Sequence, residues 1–171
     1  MQIVNNLKIV ITFIIIMVLT YSCSKDSNNP VDPNNIVNAE AKLTLNGAGY
    51  TNKSVTLGNG ICSYSTNDTL TAALFSGKVD SDSLYLYVIF RGNQTGTFTW
   101  STENGVLIYK SSTNGNLSYI GITQGTTTIS AYGSVTGKVE GSVNGKLIES
   151  GSLAELNITG TFSATRIPDT N

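Results

Sequence analysis

The chain has 171 residues, with ten Lys and Arg, eleven Asp and Glu, no His and a formal net charge of −1. The lack of histidine excludes Ser-His-Asp triads, Cys-His pairs and His-ligated zinc. Only 12% of the residues are charged and no basic stripe occurs, so no nucleic-acid partner is expected, because phosphate neutralisation needs clustered Lys and Arg. No cofactor motif and no metal site is predicted either.

The N-terminal segment has the parts of a secretory signal. Lys8 precedes an apolar run over residues 9–19, which at about eleven residues is shorter than the roughly 20 that a membrane-spanning helix needs. The stretch Leu19–Ser24, Leu-Thr-Tyr-Ser-Cys-Ser, resembles a bacterial lipobox, although Tyr21 is bulkier than the usual residue there. The resemblance implies that the chain is cleaved after Ser22 and that Cys23 carries lipid. An ordinary secreted protein with an unmodified Cys23 is the alternative.

Lipidation of Cys23 would anchor the mature protein to a membrane. Each buried methylene contributes about 0.8 kcal/mol, so the two or three acyl chains, such as palmitate, of a bacterial lipoprotein hold it without a membrane-spanning helix. The polar, proline-containing residues 24–35 predict a flexible tether. We therefore predict a signal peptide over 1–22, a tether over 23–38 and a single β domain over 39–171. No Asp follows Cys23 directly, which favours the outer membrane and leaves its periplasmic and surface faces open.

Patterns typical of β-strands fill the rest of the chain, and no window has a helical period. Residues 84–90 are apolar on both faces and predict a central strand, whereas residues 155–165 alternate, with Leu156, Ile158 and Phe162 on the inner face. The pattern predicts an all-β fold, an antiparallel sandwich or a barrel. The other predicted strands lie near residues 41–45, 50–57, 70–75, 97–100, 106–109, 117–122, 127–132 and 138–143.

Asn-Gly pairs predict where the strands turn. Asn followed by Gly suits the two central positions of a type I′ turn, which both need a positive φ angle. Each pair is therefore a candidate hairpin; they occur at residues 46–47, 59–60, 104–105, 114–115 and 144–145.

Three C-terminal segments, Thr128–Val135, Gly137–Leu147 and Ile158–Arg166, carry glycines and apolar residues at strand spacing. This ordered set resembles small β-rich lipoproteins of Bacteroidota, with Ser142 and Val143 standing where Thr-Phe is expected. The resemblance implies a β fold. It implies no biochemical activity, because that family has no established function and no catalytic residues to carry over.

Few side chains are candidates for chemistry. The chain has two cysteines, so lipidation of Cys23 would leave Cys62 without a partner for a disulfide within the chain. The strand-like surroundings of Cys62 predict a buried thiol. The segment Asp80–Ser83 offers oxygens to Ca²⁺, but a solvated hairpin turn is favoured because no further ligand is near. Glu140 and Glu149 would approach each other if the chain turned at residues 144–145, although solvent-facing glutamates are commoner than the carboxylate pairs of glycosidases.

Aromatic residues offer a further kind of surface. Trp100 and Tyr109 flank the pair at 104–105 and are predicted as possible glycan contacts, while packing in the core is the more usual role. The wider set of candidates for an aromatic platform also includes Tyr85, Tyr87, Tyr119 and Tyr132. Two short segments, Asp68–Leu70 and Asp82–Leu84, resemble the Asp-Ser/Thr-apolar sites at which Bacteroidota O-glycosylate exported proteins.

These observations predict a lipid-anchored cell-envelope protein with a non-catalytic β domain. Its expected partners are the membrane, through the lipid on Cys23, and an unidentified glycan or envelope protein. A glycan-binding surface module is the alternative, and an enzyme acting on a polysaccharide is a more distant one.

Overall fold

A computed structural model describes residues 39–113 and 115–171. The predicted signal peptide, the lipidation site Cys23 and the tether up to residue 38 lie outside the described residues. The described part is all-β, as predicted, and within it no helix is long and apolar enough to cross a membrane. Its nine strands are β1 (Ala41–Gly47), β2 (Tyr50–Ser65), β3 (Leu70–Val79), β4 (Asp82–Arg91), β5 (Gly96–Thr99), β6 (Gly105–Ser112), β7 (Gly115–Tyr132), β8 (Lys138–Glu149) and β9 (Glu155–Arg166).

Eight of these strands close into an antiparallel barrel rather than a sandwich. Neighbours follow the order β7-β6-β4-β3-β2-β1-β9-β8, and β8 then pairs with β7 to close the ring. The short β5 pairs with residues 126–129 of β7. Parallel pairing of Ile61 with Thr165 and of Cys62 with Arg166 joins β2 to β9 beyond the start of β1.

Two strands join segments that the sequence pattern predicts as separate. β2 joins the predicted strand 50–57 to the segment around Cys62, and β7 joins the predicted strands 117–122 and 127–132. Both strands change partner along their length, since β2 pairs with β1 and then β3, and β7 pairs with β6 and then β5. A polar or glycine-containing stretch within each strand therefore marks a change of neighbour and not a turn.

Hairpins occur beside two of the five Asn-Gly pairs. Gly47 ends β1, but Ala48 and Gly49, which both have positive φ angles, form the turn of the β1–β2 hairpin, and Gly115 begins β7 after the β6–β7 turn. The prediction is wrong at 144–145, which lies inside β8, and at 59–60, where Asn59 has a φ of 53° in an irregular part of β2. It is also wrong at 104–105, because β5 and β6, which this segment joins, do not pair with each other.

Apolar side chains fill the barrel interior. The inner face predicted for β9 is confirmed, since Leu156, Ile158, Phe162 and Ala164 are all buried. Phe162 meets Phe75 edge to face across the interior, with ring centroids 5.8 Å apart. Two such aromatic side chains fill more volume than aliphatic ones and rigidify the packing between β3 and β9.

Trp100 fills the interior beneath β7 and β8. Its indole N–H donates to Thr127 Oγ1 at 3.0 Å, which satisfies its polar atom inside the barrel. A Cβ at Gly125 or Gly145 would lie 2.5 Å from Trp100 Cζ3, a distance that real side chains do not adopt. The glycines on these two strands therefore make room for the indole ring.

Candidate functional site

The outer face of β3, β4 and β6 carries apolar and aromatic side chains. Along β4, alternate residues from Leu84 to Phe90 are buried in the interior, and the residues between them point outward and are half-buried. The strand register places Tyr85 opposite Tyr109 and Tyr87 opposite Leu107. We call this outer patch the tyrosine surface; it comprises Leu74, Tyr85, Tyr87, Ile89, Leu107 and Tyr109.

The rings of the tyrosine surface are arranged as a tilted pair beside a third ring. The Tyr85 and Tyr109 centroids lie 6.1 Å apart at an interplanar angle of 46°. Burial raises the pKa of the Tyr87 hydroxyl, with smaller contributions from Tyr85 and Tyr109. The surface is therefore neutral and partly dehydrated, with hydroxyl groups at its outer edge, which suits contact with an apolar ring face or another apolar surface.

Several charged side chains around the tyrosine surface are paired with each other. Lys110 Nζ lies 3.3 Å from Asp82 Oδ2, and Arg91 donates to both carboxylate oxygens of Glu103 at 2.8 and 2.7 Å. These pairs add little to stability at a solvated surface. Each pair cancels its own charges, whereas the exposed Lys78 near the end of β3, opposite Ser83, forms no ion pair in the described residues.

The opposite side of the barrel presents hydroxyl and amide groups. Register aligns one outward row across six strands: Thr99, Thr126, Asn144, Thr159, Thr44 and Ser54. A parallel row contains Thr97, Thr128, Ser142, Thr161, Lys42 and Thr56. We call these two rows the polar surface. In it Thr97 Oγ1 and Thr128 Oγ1 form a hydrogen bond of 3.2 Å.

The structure separates the two predicted glycan contacts. Trp100 is 3% exposed and packs in the core, so the prediction that its ring meets a glycan is wrong. The residue follows the outward Thr99 and alternation turns it inward, where the glycines of β7 and β8 accommodate it. Tyr109 lies half-buried on the tyrosine surface, and its contact with a glycan stays a prediction.

Two other tyrosines of the predicted platform lie elsewhere. Tyr119 is buried, and this burial, ahead of its neighbours Tyr50 and Glu149, raises its pKa to about 12. Tyr132 packs edge to face on Phe90 at 6.2 Å and hydrogen-bonds to Thr71 at 3.0 Å. Only the three tyrosines of β4 and β6 therefore share one outer surface.

Cys62 is buried, as expected, and has no disulfide partner in the described part of the chain. Burial raises the pKa of its thiol to about 12, against a smaller lowering by the nearby Arg166 guanidinium. The reactive thiolate is therefore scarce at neutral pH. Cys62 acts as a small apolar group of the core.

The carboxylates predicted as candidate ligands or catalysts do not form a site: two of them pair with lysines, and the two glutamates lie far from each other. Asp80 accepts from Lys53 at 2.9 Å and Asp82 pairs with Lys110, which favours the solvated-turn interpretation. Glu140 and Glu149 lie on one unbroken strand, so the chain does not fold back at residues 144–145 and their predicted approach is wrong. Two residues nine positions apart in an extended strand lie about 30 Å from each other. Within residues 39–113 and 115–171, no group of three His, Cys, Asp or Glu could hold a metal ion.

The two segments that resemble O-glycosylation sites differ in access. Thr69 lies in the exposed turn before β3 and its hydroxyl accepts from Arg91 at 2.8 Å. Ser83 lies within β4, opposite Lys78 and Ser111. The first hydroxyl is thus the more accessible of the two.

Sequence reasoning missed the polar surface. It also assigned the tyrosines to one platform without considering which face of each strand they occupy. The signal that separates them is the alternation within each strand: Tyr85 and Tyr87 occupy the positions between buried residues, whereas Trp100 and Tyr119 do not. Comparison of the chain with family models, with curated proteins and with solved structures finds no match. The functional argument therefore depends on the residues themselves.

Proposed function

We propose that this chain is a lipoprotein of the bacterial cell envelope, anchored in the outer membrane by lipid on Cys23, and that its β-barrel is a non-catalytic binding module. The observation that carries the anchor is the apolar run 9–19 followed by Ser22 and Cys23. Two or three acyl chains on that thiol are sufficient for a stable anchor. The tether would keep the barrel on the order of 20 Å from the membrane, at about 5–6 Å × √n for a flexible chain of n residues.

A non-catalytic role is supported by the way the barrel uses its polar groups. Apolar side chains fill the interior of the barrel, so a ligand would bind on the outer surface. Asp80, Asp82 and Glu103 there are neutralised by Lys or Arg, and the Cys62 thiol is buried. These arrangements suit a scaffold that presents surfaces, and they offer no activated nucleophile in the described residues.

The anchor is tested by replacing Cys23 and following the full chain in fractionated cells. Cys23→Ala should move the protein from the detergent phase to the aqueous phase, because the acylated thiol is lost. Cys62→Ala is the matched control, since it removes the other cysteine and leaves the lipobox intact. Detergent partitioning that is unchanged in Cys23→Ala would overturn the proposal, and protease shaving of intact cells then assigns the exposed face.

Absence of catalysis is tested separately with envelope polysaccharides as substrates. The purified full chain should release no reducing ends from them. Hydrolysis that disappears in Glu140→Gln would make the protein an enzyme and overturn the non-catalytic part of the proposal.

Glycan binding at the tyrosine surface is the second candidate function. The observation that favours it is the juxtaposition of Tyr85, Tyr87 and Tyr109 on one neutral outer face. Tyrosine rings stack on the apolar faces of sugar rings while their hydroxyls remain hydrated. On a glycan array, Tyr109→Ala should abolish binding of the wild-type ligand and Tyr132→Phe should not, because Tyr132 packs against the core. Equal binding by both variants would contradict this candidate.

A further inference from the structure

An open groove of about 330 Å³ lies in the polar surface, on the side of the barrel formed by β1, β8 and β9. The backbone of β9 forms its floor around Ile158, whose own side chain is buried in the interior. Five side-chain amides line the groove: Asn46, Asn52, Gln124, Asn144 and Asn157. We call this feature the amide groove.

Irregular strand pairing shapes both rims of the amide groove. The β1–β2 register shifts between Leu45 and Gly47, and the β7–β8 register shifts between Ile120 and Gln124. Such irregularities bend a strand and re-aim its side chains. The concave shape is therefore built into a closed sheet, and a ligand need not order a loop in order to bind.

Two of the amides are held in place by the wall itself. Asn157 Nδ2 donates to the Asn46 carbonyl oxygen at 3.3 Å, and the Asn52 backbone N–H donates to Asn46 Oδ1 at 3.4 Å. By contrast, the side-chain amides of Gln124 and Asn144 have no hydrogen-bond partner in residues 39–113 and 115–171, and both residues are exposed. The groove thus combines fixed polar groups with donors and acceptors that a ligand can use.

The groove carries no net charge. Its one charged lining residue, Lys146, has its ammonium 2.9 Å from the Glu155 carboxylate. An anionic ligand would have to compete with that carboxylate, and a cationic ligand would meet the ammonium. Neutral ligands are therefore favoured.

The chemical groups that line the groove narrow the class of ligand further. Each amide offers two donors and an acceptor, which matches neighbouring hydroxyl groups that both donate and accept. Thr44 and Thr159 add hydroxyls and methyl groups along the same wall. A groove of this size lies at the lower end of small-molecule sites and suits one or two sugar rings.

We propose that the amide groove binds a neutral oligosaccharide through the side-chain amides of Gln124, Asn144 and Asn157. This site is distinct from the tyrosine surface and lies on the other side of the barrel. It goes beyond the proposed anchor, since binding in the groove does not depend on lipid at Cys23.

The proposal is tested by calorimetric titration of the full chain in detergent with neutral trisaccharides: maltotriose, cellotriose, mannotriose and chitotriose. Trigalacturonate is the charged counterpart. At least one neutral trisaccharide should bind with a Kd below about 10 mM, and the charged one should bind at least tenfold more weakly. In NMR spectra the side-chain amide signals of Asn144 and Asn157 should shift on binding.

Isosteric variants identify the site. Asn144→Asp and Asn157→Asp keep the side-chain shape, remove the two N–H donors and should each weaken binding at least tenfold. Asn116→Asp adds the same charge to an exposed residue outside the groove and should leave the Kd unchanged. No binding of any neutral trisaccharide, or binding that survives both groove variants, would overturn the proposal. Loss of binding in Tyr109→Ala but not in Asn144→Asp would also overturn it and would assign the sugar to the tyrosine surface.

Discussion

The wall formed by β3, β4 and β6 turns apolar side chains both inward and outward, whereas the wall formed by residues 126–129 of β7, 138–147 of β8 and 155–164 of β9 turns them only inward. On the first wall Leu86 and Val88 face the interior and Tyr87 faces outward between them. On the second, Leu156 and Ile158 are buried and Asn157 is exposed. Both walls form the same hydrogen-bonded barrel, so closure alone does not require outward apolar groups.

The difference indicates what the outward residues are for. A half-buried outward side chain adds less to the stability of the fold than a fully buried one, and large contiguous apolar patches on protein surfaces usually mark interaction sites. The wall with Thr and Asn outside shows that this barrel can be built with a polar exterior. This difference supports the proposal that Tyr85, Tyr87 and Tyr109 contact a partner.

The largest change in stability is expected from a substitution in the interior beneath the polar surface. Trp100→Ala should lower the free energy of unfolding by about 3–5 kcal/mol, because it removes the side chain that fills the space over the glycines. Urea denaturation followed by circular dichroism measures this loss. A loss below about 1 kcal/mol would show that the indole does not support this wall.

A double variant tests the same packing more sharply. Gly125→Ala places a Cβ 2.5 Å from Trp100 Cζ3, and the three heavy atoms nearest to that Cβ all belong to the indole, so the substitution should destabilise the protein. In a Trp100→Leu background the added methyl group has more room, so the same glycine substitution should cost at least about 1 kcal/mol less. Equal costs in the two backgrounds would mean that the contact does not constrain the glycine.

Burial of Tyr119 should make the stability of the fold depend on pH. Burial raises the pKa of Tyr119 to about 12, so the folded protein keeps a proton that the unfolded chain loses near pH 10. Its contribution is complete below pH 10 and is lost as the pH rises towards 12, by on the order of 2 kcal/mol. Urea midpoints at pH 9 and pH 11.5 measure the change. Tyr119→Phe should reduce this dependence by about that amount, while Tyr50, Tyr87 and Tyr132, whose pKa values burial also raises, keep a part of it. An unchanged slope would contradict the assignment.

A smaller effect is expected at the tyrosine surface. Tyr85→Ser and Tyr109→Ser should each lower the free energy of unfolding by about 0.5–1.5 kcal/mol, through loss of a cross-strand aromatic pair. The double variant should elute earlier from a hydrophobic-interaction column, and Thr159→Ser on the polar surface should not. If all of these proteins elute together, the tyrosine surface is not the dominant apolar patch.

The smallest effect is expected on the polar surface itself. Thr97→Val removes the hydrogen bond to Thr128 and keeps the side-chain shape, so the free energy of unfolding should change by no more than about 0.5 kcal/mol. Equilibrium denaturation measures it. A loss above about 1 kcal/mol would make the hydroxyl rows a structural element of the barrel.

The sequence predicted the fold class and most strands because alternation is a local property of the chain. The buried positions of β9 follow directly from the spacing of Leu156, Ile158 and Phe162. Closure could not be predicted in the same way, because it depends on which distant strands pair, such as β7 with β8. The hairpin expected at residues 144–145 failed for a related reason: Gly145 is required by the close approach of the Trp100 indole and of the β7 backbone at Gln124 and Gly125, which are far away in sequence.

The candidate sites were less predictable than the fold. Trp100 and Tyr109 have the same aromatic character in the sequence, and only the strand faces separate a buried ring from an outward one. The amide groove brings Asn46 and Asn144 together from strands on either side of β9. Nothing in the local pattern around either asparagine marks it as part of a binding site.

Closure of the barrel also limits how this protein can associate with others. Each of the eight barrel strands is hydrogen-bonded to a neighbour on both sides, and only β5, four residues long, ends the pairing order in the described residues. Exposed strand edges are the usual template for aggregation and for addition of a foreign strand. Because the β5 edge is so short, copies of this protein will contact one another, or another partner, through side chains rather than through backbone hydrogen bonds. Point mutations at the surface can therefore alter its choice of partner without disturbing the sheet.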